Sequence, residues 1–360
     1  MYSDAEIESA VAAGTLTSEA AQALRTPVSG LRNTVTADEE QFRLVTGFND
    51  IFVAIAGILV LVGAGWLGGA LAPWAGGLFV AGAAWGMAEY FTRRRRMALP
   101  SIIFVLAFVG GLYFAGVTAY PGEYWWRAFS TGDGSSRTFL LVQAASAALV
   151  VAACWVHWQR FAVPITIALG VGAVARLLFT LIAVAAYPNL GQWLLYVVLA
   201  GGLAIFAYAM WWDMQDRART TRKSDVAFWL HLAASPLIVH PIFMLMGLSI
   251  GMNDQNATFA AILALVIYCA LAIVALTVDR RAILVSALAY VLAAAIYLVS
   301  KIGTSGAGFA VVIIIIGGSL LMLSAFWQTM RRAFLPRLPA AIRDRVPVAS
   351  PNPGISPQPV

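Results

Sequence analysis

Long apolar runs alternate with short polar breaks along this chain, and their spacing sets the architecture. A helix needs about 20 apolar residues, at ~1.5 Å each, to cross a ~30 Å hydrocarbon core. Ten runs meet that length. They cover roughly Asp50 to Leu67, Pro73 to Phe91, Met97 to Ala119, Thr138 to Val156, Phe161 to Ala186, Leu190 to Trp212, Val226 to Ile250, Thr258 to Val278, Ala282 to Ile302 and Gly308 to Trp327. The expected fold class is all-α, a polytopic membrane bundle of ten transmembrane helices spanning residues 48–330. Residues 1–47 are mixed polar and predict a small helical hairpin. Ser3 to Glu6 fits a capping box, Ile7 and Val11 share a helix face, and Gly14 supplies a stop before a second helix that begins near Thr17. Thr36 to Glu39 repeats the capping-box pattern. After residue 330 the chain is basic, then rich in Pro, Ser and Asn from Pro347 to Val360, a composition that favours disorder.

The basic residues orient the bundle. All but four of the 23 Lys and Arg fall before the first run or in alternate connections: Arg93 to Arg96, Arg160, Arg217 to Lys223, Arg280 and Arg281, and Arg331 to Arg345. Arg127, Arg137 and Lys301 fall on the other side, and Arg176 lies inside a run. Basic loops stay in the cytoplasm, which puts both termini inside. Eight or nine spans would break the alternation.

Composition agrees with this picture: 61% of residues are hydrophobic and 11% charged, with mean hydropathy +0.82. So little polar surface excludes a water-soluble domain. The net charge of +6 does not point to nucleic acid, because the arginines sit where spans end and not along one soluble face. Arg331 to Arg345, interleaved with Phe334, Leu335, Leu338 and Ile342, suits anionic lipids at the cytoplasmic surface. Tyr124, Trp125, Trp126 and Phe129 form an aromatic belt or a lid in the longest outer loop. Gly82 and Gly86, and the glycines of the sixth and tenth spans, suggest close helix packing. Cys154 and Cys269 read as small core residues.

Candidate chemistry concentrates in two spans. Arg176 is near the middle of the fifth, where a charge costs about 2.5–3.5 kcal/mol on insertion scales. Gly172 and Thr180 lie four residues to either side, on the same face. No acidic residue is at comparable depth, so compensation is expected from main-chain carbonyls, hydroxyls, water or an anionic ligand. The seventh span contains Ser235, Pro236, His240 and Pro241. Each proline frees the carbonyl four residues earlier, at Leu232 and Leu237. Freed groups at that depth suit a broken helix lining a water-filled path, or a kink used in packing. His231 and His240 lie on opposite faces with no Asp, Glu or Cys beside them in the span, so neither a metal nor a cofactor is expected. Glu89 and Asp50 read as helix-end electrostatics. Gly303-Thr304-Ser305-Gly306 resembles an intramembrane protease motif, but no histidine follows it to act as base. No catalytic constellation is visible.

Two segments, SDAEIESAVAAGTLTSEAAQAL (Ser3 to Leu24) and EEQFRLVTGFNDIFVAIAGILVL (Glu39 to Leu61), are similar to a family of uncharacterised bacterial multi-span proteins. That family pairs a short amino-terminal helical hairpin with eight to ten spans. The resemblance implies a bacterial inner-membrane location and transfers no functional residue. The reading that follows is a small-solute transporter or channel-like protein, with Arg176, Thr180, Ser235, Pro236, His240 and Pro241 along its path. The alternative is a non-transporting scaffold or sensor acting through the amino-terminal hairpin. Two inverted five-span halves are compatible with ten spans, although the second span has no counterpart of Pro236 and Pro241.

Overall fold

The computed structural model describes residues 10–21, 48–120, 137–187, 193–217, 221–246, 257–281, 283–288, 290–292 and 306–347. The chain forms two compact units, Met1–Phe42 and Arg43–Val360. In the first, a helical turn stops at Gly14, whose φ of +70° is one that L side chains rarely adopt. Thr15 Oγ1 donates back to Ala10 O at 2.9 Å. Thr17 caps the next turn by accepting from Ala20 N–H at 3.2 Å. The two expected capping boxes and the aromatic outer loop lie outside the described residues, as does the stretch beyond Pro347.

The second unit is built of α1 (Phe48–Gly69), α2 (Pro73–Met87), α3 (Ala98–Thr118), α4 (Arg137–Phe161), α5 (Ile165–Ala186), α6 (Leu194–Gln215), α7 (Arg222–Leu245), α8 (Ala257–Val278), α9 (Ile283–Leu292), α10 (Gly306–Ala325), α11 (Trp327–Phe334) and α12 (Ala340–Arg343). Among the described residues there is no strand. Helix α2 continues into a wider π-helix, Ala88–Arg94. Among the described residues six helices, α1 and α3 to α7, are long and apolar enough to cross a membrane. Their outer faces are apolar too: Phe48, Leu59 and Trp66 are 82%, 68% and 83% exposed. A surface of that kind suits hydrocarbon and would be costly in water.

Helices α1 to α5 each pack on their neighbours in sequence, α6 packs mainly on α7, and α7 also packs on α5. Three turns at the arginine-bearing ends reverse the chain through a residue of positive φ: Arg96 (+53°), Ala162 (+50°) and Asp279 (+60°). Glu89 on the π-helix accepts from Arg160 Nε and Nη2 at 2.8 and 3.1 Å and from Arg93 at 3.4 Å, tying α2 to α4. Of the glycines expected to pack closely, Gly202 does so, against Leu237, whereas α2 uses one that was not singled out. A Cβ at Gly82 or Gly86 would meet open space, whereas one at Gly77 would strike Gly111 O, and one at Gly111 would come within 2.6 Å of Gly77 O. The pair lets α2 and α3 meet backbone to backbone.

The basic segment after α10 also departs from a wholly solvated or lipid-facing tail. Arg337, Arg343 and Arg345 are exposed, but Arg331 is fully buried. Its guanidinium donates to Leu276 O at 3.1 Å and to Pro347 O, and lies 3.4 Å from the Asp279 carboxylate. Trp327 Nε1 donates to the same carboxylate at 2.6 Å. Arg217 donates to Val346 O and Arg343 O, both at 3.1 Å. Arginine's five N–H donors make it suited to gather several carbonyls, and here two arginines hold residues 343–347 against the bundle.

Candidate functional site

Arg176 is the twelfth residue of the 22-residue α5, mid-way along a helix packed on α4 and α7. A cavity of about 480 Å³ opens beside it between α3, α4, α5 and α7. Val109, Gly110, Ala147, Val150, Leu169 and Ala173 are typical of its walls; Trp229, Leu232 and Ala233 supply the α7 side. Of the lining residues only Tyr113 and Arg176 carry a strongly polar group. The space extends along α5 from Ile165 to Arg176, about 16 Å by helical rise. Small residues at Gly110, Ala147, Ala168, Gly172 and Ala173 leave this volume; nothing lies within 4 Å of a Cβ built at Gly110 or Gly172.

The guanidinium is met by side chains from two other helices. Arg176 Nη2 donates to Gln143 Oε1 on α4 and, at 3.4 Å, to the Tyr113 hydroxyl on α3. Its carbon also sits 6.0 Å from the Phe179 ring centroid, within cation–π range. Tyr113 is five residues from the Thr118 end of α3, and Gln143 six from the Arg137 end of α4. The charge therefore reaches to roughly 8–9 Å from those ends, so the long side chain carries it off the midplane. Compensation comes partly from a hydroxyl, as expected, and partly from an amide that was not singled out. Gln143 stands alone as an amide in an otherwise apolar run, and that was the available signal.

The remaining candidates do not converge on Arg176. Thr180 is buried and donates to Arg176 O at 2.7 Å, a bond within its own helix. Ser235 is buried and donates to His231 O at 2.6 Å. His240 Nδ1 pairs with the Tyr290 hydroxyl on α9. Pro236 is exposed and Pro241 buried. Of the two readings these prolines allowed, the broken helix is absent: α7 is helical without interruption from Arg222 to Leu245. The turns on either side keep their own bonds, so each proline removes one donor without ending the helix. A Cβ at Gly202 on α6 would lie 2.9 Å from Leu237 O, the carbonyl that Pro241 frees. That carbonyl is thus packed against a bare glycine and does not line the cavity, which takes only the earlier part of α7.

A second polar centre was missed in sequence. His231 has an acidic companion after all, on the preceding helix. Asp213 Oδ2 lies 2.9 Å from His231 Nε2, and Asp213 Oδ1 accepts from Arg280 Nη2 at 2.5 Å. Asp213 and His231 are fully buried and Arg280 is 2% exposed. The α6–α7 hairpin brings Asp213 to His231 across 18 residues. Arg280, just past α8, arrives from 67 residues away, so spacing could not reveal it. Arg280 also donates to Ser224 O at 3.3 Å and faces the Phe228 ring. A third buried group, His157, shares Thr166 Oγ1 at 3.1 Å and is ringed by Trp85, Phe108 and Phe161. Among the described residues no three metal-ligating side chains converge.

No protein-family model, curated protein or solved structure matches this chain.

Proposed function

We propose that the chain is a ten-span protein of the bacterial inner membrane, with both termini cytoplasmic, that admits a small solute to the cavity beside Arg176. The ordering of basic loops supports the orientation, and the amino-terminal resemblance supports the location. One observation carries the functional reading: a mid-helix arginine at the end of an apolar space of ~480 Å³, a volume in the range of small-molecule sites. An intramembrane charge retained at such a place suggests a solute path. The exposed Arg337, Arg343 and Arg345 suit contact with anionic headgroups.

Uptake into proteoliposomes and ligand-induced thermal stabilisation test the reading. Arg176→Ala is expected to abolish both while leaving insertion intact. If the variant only unfolds the bundle, the arginine is an anchor and the transport reading fails. A second reading, a scaffold or sensor, is favoured by the separate compact unit Met1–Phe42. Deleting residues 1–47 should then abolish crosslinking to a partner, and unchanged capture would refute it.

A further inference from the structure

We infer that Asp213 and His231 form a proton-binding site from which an incoming proton displaces Arg280. None of the three lines the cavity beside Arg176, so the inference does not rest on the transport reading. The first argument is charge balance. Asp213 shares one negative charge between two basic groups: Oδ2 lies 2.9 Å from His231 Nε2, and Oδ1 accepts from Arg280 Nη2 at 2.5 Å. With Arg280 in place the ion pair is already neutral. Charging the imidazole as well would leave a net positive charge among groups that are 0–2% exposed, which a low-dielectric interior opposes. His231 is therefore neutral while Arg280 sits on Asp213. Its charging requires the guanidinium to leave.

The second argument is that Arg280 has another carboxylate beside it. Its guanidinium donates to Ser224 O at 3.3 Å and lies 6.0 Å from the Phe228 ring centroid, so it already rests on the first turn of α7. Asp225 belongs to that turn, is half-buried and lies within electrostatic range of Arg280. In the step, hydronium gives a proton to an imidazole nitrogen of His231; an N–H bond forms, water leaves and no electron is transferred. The imidazolium then pairs with Asp213, and Arg280 turns to Asp225. Every buried cation keeps one carboxylate before and after. Asp213 is two residues from the end of α6, so water enters from that end as the guanidinium moves aside. The neighbouring charges are otherwise engaged. Asp279 is held by Arg331 and Trp327, Asp216 accepts from Thr221, and Arg176, on α5, donates to α3 and α4. Arg222 lies near Asp225 at the start of α7, and His240 of the same helix pairs with Tyr290.

The test is solid-state nitrogen NMR of the full chain in lipid with labelled histidine, which distinguishes imidazole from imidazolium. His231→Gln assigns the signal. In the unsubstituted protein His231 is expected to charge in one step as the pH falls through the range roughly 8 to 4. Arg280→Met leaves Asp213 to the imidazolium alone and should raise the proton affinity of His231 at least tenfold, about one pH unit. Asp225→Asn removes the second seat of Arg280 and should lower it about tenfold. That substitution lies outside the sealed triad, so it keeps the test decisive if Arg280→Met does not fold. With both changes together, Asp225→Asn should add nothing, because no guanidinium needs a seat. An equal drop in the double variant would be long-range charge alone and overturns the inference. So does a His231 that stays uncharged across the whole range, or one that charges at the same pH in every variant, as a triad kept only for structure would.

Discussion

The buried Asp213 centre gives the sharpest stability prediction. Replacing Asp213 by Ala removes the 2.9 Å contact to His231 and both bonds from Arg280, at 2.5 and 3.4 Å. Arg280 then keeps one protein acceptor of those described, Ser224 O at 3.3 Å, at a site only 2% exposed. Removing one partner of a buried ion pair costs about 3–5 kcal/mol, since the other charge stays desolvated. That is roughly a hundred- to several-thousand-fold in the unfolding equilibrium. Asp213→Asn retains one acceptor oxygen and should fall at the lower end. Arg280→Met leaves Asp213 with His231 and is also destabilising. The double variant Asp213→Asn with Arg280→Met removes both charges, and its cost should undershoot the sum of the singles by about 1–3 kcal/mol. Equilibrium unfolding in mixed micelles measures all of these. Asp213 is two residues from the end of α6, so a water channel to it is the competing possibility. Single variants costing under about 1 kcal/mol, with additive effects, would mean a solvated and screened pair, and would refute the sealed centre.

Three further outcomes follow from packing. Gly77→Leu should destabilise by more than about 1–3 kcal/mol, because even its Cβ strikes Gly111 O and lies 2.7 Å from Ala115 N. Gly82→Ala on the same helix should be neutral or gain up to about 1 kcal/mol, and thermal unfolding of the two separates contact from composition. Trp327→Phe deletes the 2.6 Å bond to Asp279 and should cost about 1–3 kcal/mol in denaturant melts, with faster proteolysis of residues 335–347. Pro236→Ala, at an exposed position in an unbroken helix, restores a donor to Leu232 O and should raise the melting temperature. A fall would show that the missing bond is used elsewhere.

The positions of the helices were legible because hydropathy is a local property. Expected starts at Asp50, Pro73 and Thr258 fall within two residues of α1, α2 and α8. Gly14 and Thr17 acted through their own backbone conformation and hydroxyl, which need no distant partner. Rotation about each helix axis was another matter. Helices apolar on every side have almost no amphipathic face, so nothing in the order of residues says which side meets protein. That side decided that Gln143 and Tyr113 meet Arg176, that Asp213 meets His231 and Arg280, and that Gly77 and not Gly82 forms a contact. Arg331 looked like one more surface cation because its charge belongs to its residue, while its burial belongs to Asp279, Leu276 and Pro347. The prolines of α7 were the opposite case: a local rule left a broken helix and a packing kink both open, and the helix runs on without a break. The amino-acid order by itself determined that the chain is helical and apolar, and where several of its rods begin. Only the tertiary structure decided which atoms face one another, because pairing energies depend on distances that sequence separation does not encode.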